Sequence, residues 1–296
     1  MALSIGIEIG DLSYRICLTE KSQIVEYQQF ADLQAVQAYV EQTCALYPEP
    51  VIALASPWPT TLSEIYEMDK IGLREGEQTF LSAIEKASSR CYHIPDVASV
   101  PTIPPYRRLL QQHMGGSDLV CMVANLLYRM RQQDAAWPEM RFFFLELERT
   151  TTRYAYRLAV IVDGLLIDAQ EQVFSLSAAS EYAQEQAQNI CEQAFWESLT
   201  RQLAGFQAIH HLEDVVVYDR SVHSGEMKNA VIERLDEHYQ FYHFPLAETE
   251  PAAFQVARGA SLLAEGLSQS SLAAEVVQHL LLSLPQAKEL NYQSHS

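Results

Sequence analysis

Residues 4–27 read SIGIEIGDLSYRICLTEKSQIVEY. Residues 3–9, 14–19 and 23–29 are short strand-like runs, the first strictly alternating (Leu3-Ser4-Ile5-Gly6-Ile7-Glu8-Ile9), with polar tips at 10–13 and 20–22. That pattern predicts three short strands in a meander. The first tip gathers Glu8, Gly10, Asp11 and Ser13. Any hairpin tip is polar. A carboxylate, a glycine and a hydroxyl at one tip are also the parts that hold a phosphate and its metal. The rest of the chain has to separate these readings.

The pattern returns in the second half as RFFFLELERTTTRYAYRLAVIVDGLLIDAQ, residues 141–170. It reads as strand, turn, long strand, an Asp163-Gly164 turn and a further strand, the Asp-Gly pair being a hairpin signal. The two first hairpins superpose without a gap. Ile7-Glu8-Ile9-Gly10 through Arg15 lies on Leu145-Glu146-Leu147-Glu148 through Arg153. Each meander runs on into helical pattern. The first is followed by a helix over 31–47 with Asp32 as N-cap, a buried strand at 51–56, a helix near 75–90, a proline-punctuated extended segment at 97–108 and a helix at 118–133. The second is followed by a long helix near 177–204, a strand at 215–219 and helices at 227–235 and 252–267. Alternating strands and helices predict an α/β protein. The stretch QQDAAWPEM (132–140) divides it into two domains, 1–138 and 139–296.

Composition narrows the function classes. The chain has 296 residues, 48% apolar and 20% charged, enough to bury a normal core. Its net charge of −18 argues against a nucleic-acid partner, which needs a cationic surface. No apolar run approaches the ~20 residues that span a bilayer, and Glu8 and Asp11 interrupt any leader-like core. A soluble cytoplasmic protein without a membrane partner is expected. Five scattered cysteines form neither a Cys-x-x-Cys pair nor a disulfide framework. The histidines (His113, His210, His211 and His223 among them) make no helical metal pair, and neither a nucleophile elbow nor a Walker loop is present.

Four stretches carry a resemblance. GIEIGDLSYRI (6–16) is similar to the first phosphate hairpin, and LELERTTTRYAYRLAVIVDGLLIDA (145–169) to the second phosphate hairpin, of the acetate kinase, sugar kinase, heat-shock chaperone and actin superfamily. SVPTIPPYRRLLQQHMGGSDLVC (99–121) and ARGASLLAEGL (257–267) resemble segments of a mostly archaeal family described as predicted butyrate kinases. The resemblance implies a duplicated ribonuclease H-like (actin-like ATPase) fold of two domains about a central cleft. It implies ATP and Mg²⁺ between the hairpins, a short carboxylic acid as acceptor, and it allows a homodimer.

On that resemblance Glu8 and Glu146 hold the metal. Gly10, Asp11, Ser13 and Thr150, Thr151 and Thr152 meet the phosphates, and Arg107 or Arg153 neutralises transferring charge. Gly115, Gly116 and Ser117 offer an anion site at a helix start. Asp219, Ser221 and Gly225 stand at the crevice edge of a strand, and Gly259 lies in the helix that closes the cleft. The plainer readings stand beside these: strand-end solvation for the glutamates, capping for Ser117 and Asp219, a solvated pair for Arg107-Arg108.

The departures from the family all run one way. Glu8 replaces an Asp, and Glu148-Arg149 replaces glycine. SPWP (56–59) replaces a Ser-Gly-Tyr-Gly-like stretch, and His113 and Leu119 replace an Asp and a Lys. The residues around Asp168-Ala169-Gln170 replace a Gly-Gly. Arg149 and Arg153, as guanidinium forks, compensate in part. Two functions follow: an ATP-dependent acyl kinase, or a decayed relative acting as a nucleotide-sensing or scaffold module.

Overall fold

The computed structural model describes residues 3–10, 13–47, 49–56, 63–64, 75–111, 113–151, 153–176, 181–221, 225–246, 250–268, 271–280 and 282. The first meander is β1 (Leu3–Ile9), β2 (Tyr14–Glu20) and β3 (Gln23–Phe30). After α1 (Leu33–Leu46) the chain returns as β4 (Val51–Ala55), parallel to β1. The short β5 (Ser63–Glu64), α2 (Glu75–Ala87) and β6 (Cys91–His93) complete a six-stranded sheet of order β3-β2-β1-β4-β6-β5. Two helices follow, α3 (Pro105–Leu110) and α4 (Ser117–Gln132).

The second half repeats the plan. Strands β7 (Phe142–Arg149), β8 (Arg153–Val162) and β9 (Leu165–Ser175) form the meander. The 30-residue α5 (Glu181–His210) leads to β10 (Asp214–Asp219), parallel to β7. Then come α6 (Glu226–Leu235), β11 (Gln240–His243), α7 (Gln255–Gly266) and α8 (Leu272–His279). The sheet order β11-β10-β7-β8-β9 mirrors β6-β4-β1-β2-β3 strand for strand. By position in this repeat, α7 is the counterpart of α4.

Strand parity assigns the faces. On β1, Leu3, Ile5 and Ile7 pack under α1 and α2 against Val36, Val40, Phe80 and Ile84. On β7, Phe143, Leu145 and Leu147 pack under α5 and α6 against Phe195, Leu199 and Val231. The opposite faces look inward onto a third core built around α4 and α7, which includes Phe142, Phe144 and Ala159. Both central helices are buried all round, as fully enclosed helices must be. Their backbones come close: a Cβ on Gly259 of α7 would stand 2.0 Å from the Cys121 carbonyl oxygen of α4, and one on Gly6 of β1 would stand 2.0 Å from the Ala257 oxygen of α7. Gly259 therefore serves a helix crossing.

Local signals hold. Asp32 accepts the Ala35 N–H at 2.8 Å as N-cap of α1. Asp163 and Gly164 have φ of 53° and 74°, the left-handed pair that a tight hairpin turn needs. The segment 97–108 departs from the expected extended form. It contains a 3₁₀ turn at Val97–Ser99, capped by Asp96, and the short α3, with Pro105 at its first turn where proline's missing N–H costs nothing. Strands β6 and β11, with three and four residues, and α8 are further elements. Among the described residues no helix is long and apolar enough to cross a membrane.

Candidate functional site

The same parity that buries Ile5 and Phe143 outward turns Glu8 and Glu146 inward, at the carboxyl ends of β1 and β7. Both are buried. The pairing register places Arg15 opposite Glu8 and Arg157 opposite Glu146. The gap-free superposition had matched Arg15 with Arg153. The second hairpin runs on past its glutamate through Leu147↔Tyr156, Glu148↔Ala155 and Arg149↔Tyr154, whereas the first has only Ile9↔Tyr14. The counterpart of Arg15 is thus Arg157, and Arg153 lies nearer the tip, 3.9 Å from Glu148.

Arg220, directly after β10, joins the two lobes, the parts built on the first and the second sheet. Its guanidinium donates to Glu8 Oε1 at 2.8 Å and to Glu146 Oε1 at 3.1 Å. Arg15 also donates to Glu8 Oε1, at 3.0 Å. Arg157 stands 3.4 Å from Glu146 Oε2, 3.2 Å from Asp118 Oδ2 at the start of α4, and 2.9 Å from Glu171 Oε1. Arg220 lies 3.9 Å from Asp118 as well. Burial opposes the charge of Arg220, but Glu146 and Glu8 outweigh it and hold the guanidinium protonated beyond its usual range. Burial likewise pushes the Asp118 carboxyl up, and Arg157 and Arg220 bring it below the usual carboxylate range. Sequence reasoning missed Arg220 and Arg157. The first was findable as the residue after a strand end that faces the crevice, whereas the second depends on register.

The expected phosphate-side residues divide. Gly10 donates its N–H to the Ser13 carbonyl at 3.1 Å, closing the first tip; Asp11, between them, lies outside the described residues, as does Thr152. Thr150 closes the second tip through its N–H to the Arg153 carbonyl, 2.9 Å. Thr150, Thr151 and Ser221 share the wall of a cavity of about 220 Å³ with Arg149, Gln188, Glu226 and Met227. Asp219 caps α6: its Oδ2 accepts the N–H groups of Gly225 and Lys228, both at 3.1 Å, and its Oδ1 that of Ser221 at 2.8 Å. That carboxylate takes the anion position at this helix start.

Gly115 and Gly116 lead into α4, and Ser117 is committed to β4. Its Oγ accepts the Ser56 N–H at 2.8 Å and donates to the Ser56 carbonyl at 2.7 Å. This clip fixes the start of α4 and so presents Asp118 to the arginines. Arg107 is engaged elsewhere, 3.1 Å from the buried Asp168, which His210 also approaches at 3.3 Å.

Beside the clip, the buried His93 meets Ser56 Oγ at 2.6 Å. Burial lowers its pKa from 6.5 to about 4, against a smaller opposing hydrogen bond with the Ile94 backbone. The folded protein keeps His93 neutral where the unfolded chain protonates it. Its contribution is fully present above pH 6.5 and is lost as pH falls from there to about 4, a decline of about 3 kcal/mol. His93→Gln is expected to remove that slope from a plot of urea-unfolding free energy against pH; an unchanged slope would contradict it.

Mg²⁺ requires near-octahedral oxygen ligands at short range. Glu8 and Glu146 already face guanidiniums, and among the described residues no group of three or more His, Cys, Asp or Glu side chains is arranged to hold a metal ion. In this arrangement the two carboxylates do not fit the ion.

Residues 58–170 match a family described as a protein of unknown function (DUF1464). No curated protein matches the chain by sequence. Among solved structures, acetate kinase from Entamoeba histolytica is similar with a TM-score of 0.50 and 8% identity, over 80% of this chain and 87% of that one. Glucokinase from Balamuthia mandrillaris gives 0.46 and 10%, over 89% and 93%, and a ROK hexokinase from Thermus thermophilus 0.44 and 12%, over 89% and 100%. At 8% identity the acetate kinase likeness speaks for fold alone. With the mirrored sheets, the chain has the duplicated actin-like ATPase fold.

Proposed function

We propose that the chain is a nucleotide-binding module of the actin-like fold that senses its ligand rather than transferring a phosphoryl group. The observation that carries this reading is the cavity beside the second hairpin, whose wall includes Thr150, Thr151, Ser221 and Arg149, with the Ser221 hydroxyl accepting the Arg149 backbone N–H at 3.0 Å. It lies at the carboxyl ends of β7 and β10, the edge where open α/β sheets take ligands. At about 220 Å³ it is smaller than a typical site for a whole ligand, so it would take one end of the nucleotide. Glu226 also lines it, 3.8 Å from Arg149, and disfavours a bare phosphate there.

Calorimetric titration with ATP and ADP, in EDTA and in Mg²⁺, tests the reading. Binding is expected in both buffers, weakened tenfold or more by Thr151→Ala with Ser221→Ala. Silence with both nucleotides from folded protein would sink it. The second reading is an ATP- and Mg²⁺-dependent kinase for a short carboxylic acid such as butyrate. It is favoured by the guanidiniums of Arg15, Arg157 and Arg220 between the lobes, a charge supply suited to a transferring phosphoryl group. It requires Arg220 to leave both glutamates. Mg²⁺-dependent ADP release with butyrate or acetate would establish it in place of the first.

A further inference from the structure

We propose that Arg220 is the resident cation of the seam between the lobes, standing where a divalent metal would otherwise neutralise Glu8 and Glu146. This goes beyond the nucleotide reading and does not depend on it. The argument is one of charge and geometry. Among the described residues the seam joins four carboxylates, Glu8, Asp118, Glu146 and Glu171, to three guanidiniums, Arg15, Arg157 and Arg220. Among the described residues Arg15 pairs with the first lobe's glutamate alone, and Arg157 with Glu146, Asp118 and Glu171. Arg220 alone of the three contacts both Glu8 and Glu146.

A guanidinium is planar and delocalised, and its forked N–H groups meet two carboxylates at once. Arg220 does so with one nitrogen on each, 2.8 and 3.1 Å away. Its backbone is fixed too: the Arg220 N–H donates to the Leu147 carbonyl at 2.8 Å, one residue beyond Glu146. The side chain therefore starts from the sheet edge and spans the gap from a set position. The seam carries one negative charge in excess with Arg220 and two without it, the deficit that one divalent ion removes.

Manganese binding to the nucleotide-free protein, followed by electron paramagnetic resonance, tests this. Wild type is expected to bind no Mn²⁺ at the seam at 1 mM, an order-of-magnitude setting for weak carboxylate sites. Arg220→Ala is expected to gain one bound Mn²⁺ and to recover part of its lost Tm in millimolar Mg²⁺ or Mn²⁺. A wild-type Mn²⁺ site that Glu8→Gln or Glu146→Gln abolishes would overturn the proposal. So would a folded Arg220→Ala that neither binds Mn²⁺ nor gains Tm from it. Should Arg220→Ala not fold, the wild-type titration still decides, because a seam site there contradicts the proposal whatever the variant does. Nucleotide binding enters none of these readouts, so failure here leaves the nucleotide reading to its own titration.

Discussion

Arg220→Ala is expected to lower the unfolding free energy by about 3–5 kcal/mol, the cost of stripping a buried ion pair of one member. Glu8 and Glu146 are both buried and cannot recover solvation when the guanidinium goes. Asp118, 3.9 Å away, adds to the repulsion left behind. Arg220→Lys should fall between, since an ammonium keeps the charge but cannot fork to both lobes. Arg201→Ala is the internal control. Arg201 pairs with Glu197 at 2.8 Å one helical turn away, but both are exposed, and such pairs contribute about 0.3–0.5 kcal/mol. Urea unfolding of the three variants checks the series. A loss below about 1 kcal/mol for Arg220→Ala, within the range of a surface pair, would show that the seam is solvated and its geometry incidental.

Gly259→Ala is the second large effect. The added methyl would lie 2.0 Å from the Cys121 oxygen and 2.5 Å from its carbonyl carbon, both backbone atoms of a buried helix. No side chain can swing aside, so α4 and α7 must separate, and overpacking against backbone belongs at the upper end of the usual cost, about 3 kcal/mol. Gly205→Ala should have the opposite sign. Gly205 is exposed in the interior of α5 with nothing within 4 Å of the new methyl, and helix propensity favours alanine there by about 0.8–1 kcal/mol. Thermal unfolding of both variants reads the contrast. A neutral Gly259→Ala would mean the crossing is looser than its backbone distances require.

Much of this architecture is legible in the chain itself. Strand-like runs between polar turns marked both meanders, Asp163-Gly164 marked a turn, and Asp32 marked a helix start, because each depends on residues a few positions apart. Resemblance across several motifs supplied the duplicated fold. What stayed hidden depends on distant pairing. The cross-strand match of Glu146 with Arg157 needs the length of the second hairpin, which apolar-Glu-apolar spacing does not encode. β6 pairs over three residues, too few for periodicity to register. The acidic residues were found, but their partners were not: Arg220 reaches Glu8 across 212 positions of chain. Gly259 was expected in the helix that closes the cleft, and the structure sets it against the Cys121 backbone of α4. Arg107 was expected beside transferring charge and is held by Asp168. In both cases the residue type suits either use, and only its neighbours separate them.

The placement of α7 has a consequence for how the molecule holds together. Because α7 comes from the second repeat yet lies on β1, a chain severed near the Trp137–Glu139 turn would leave the first sheet with its inward surface bare. The first sheet thus depends on a helix of the second half, and the protein should melt as one cooperative body with no half-folded survivor.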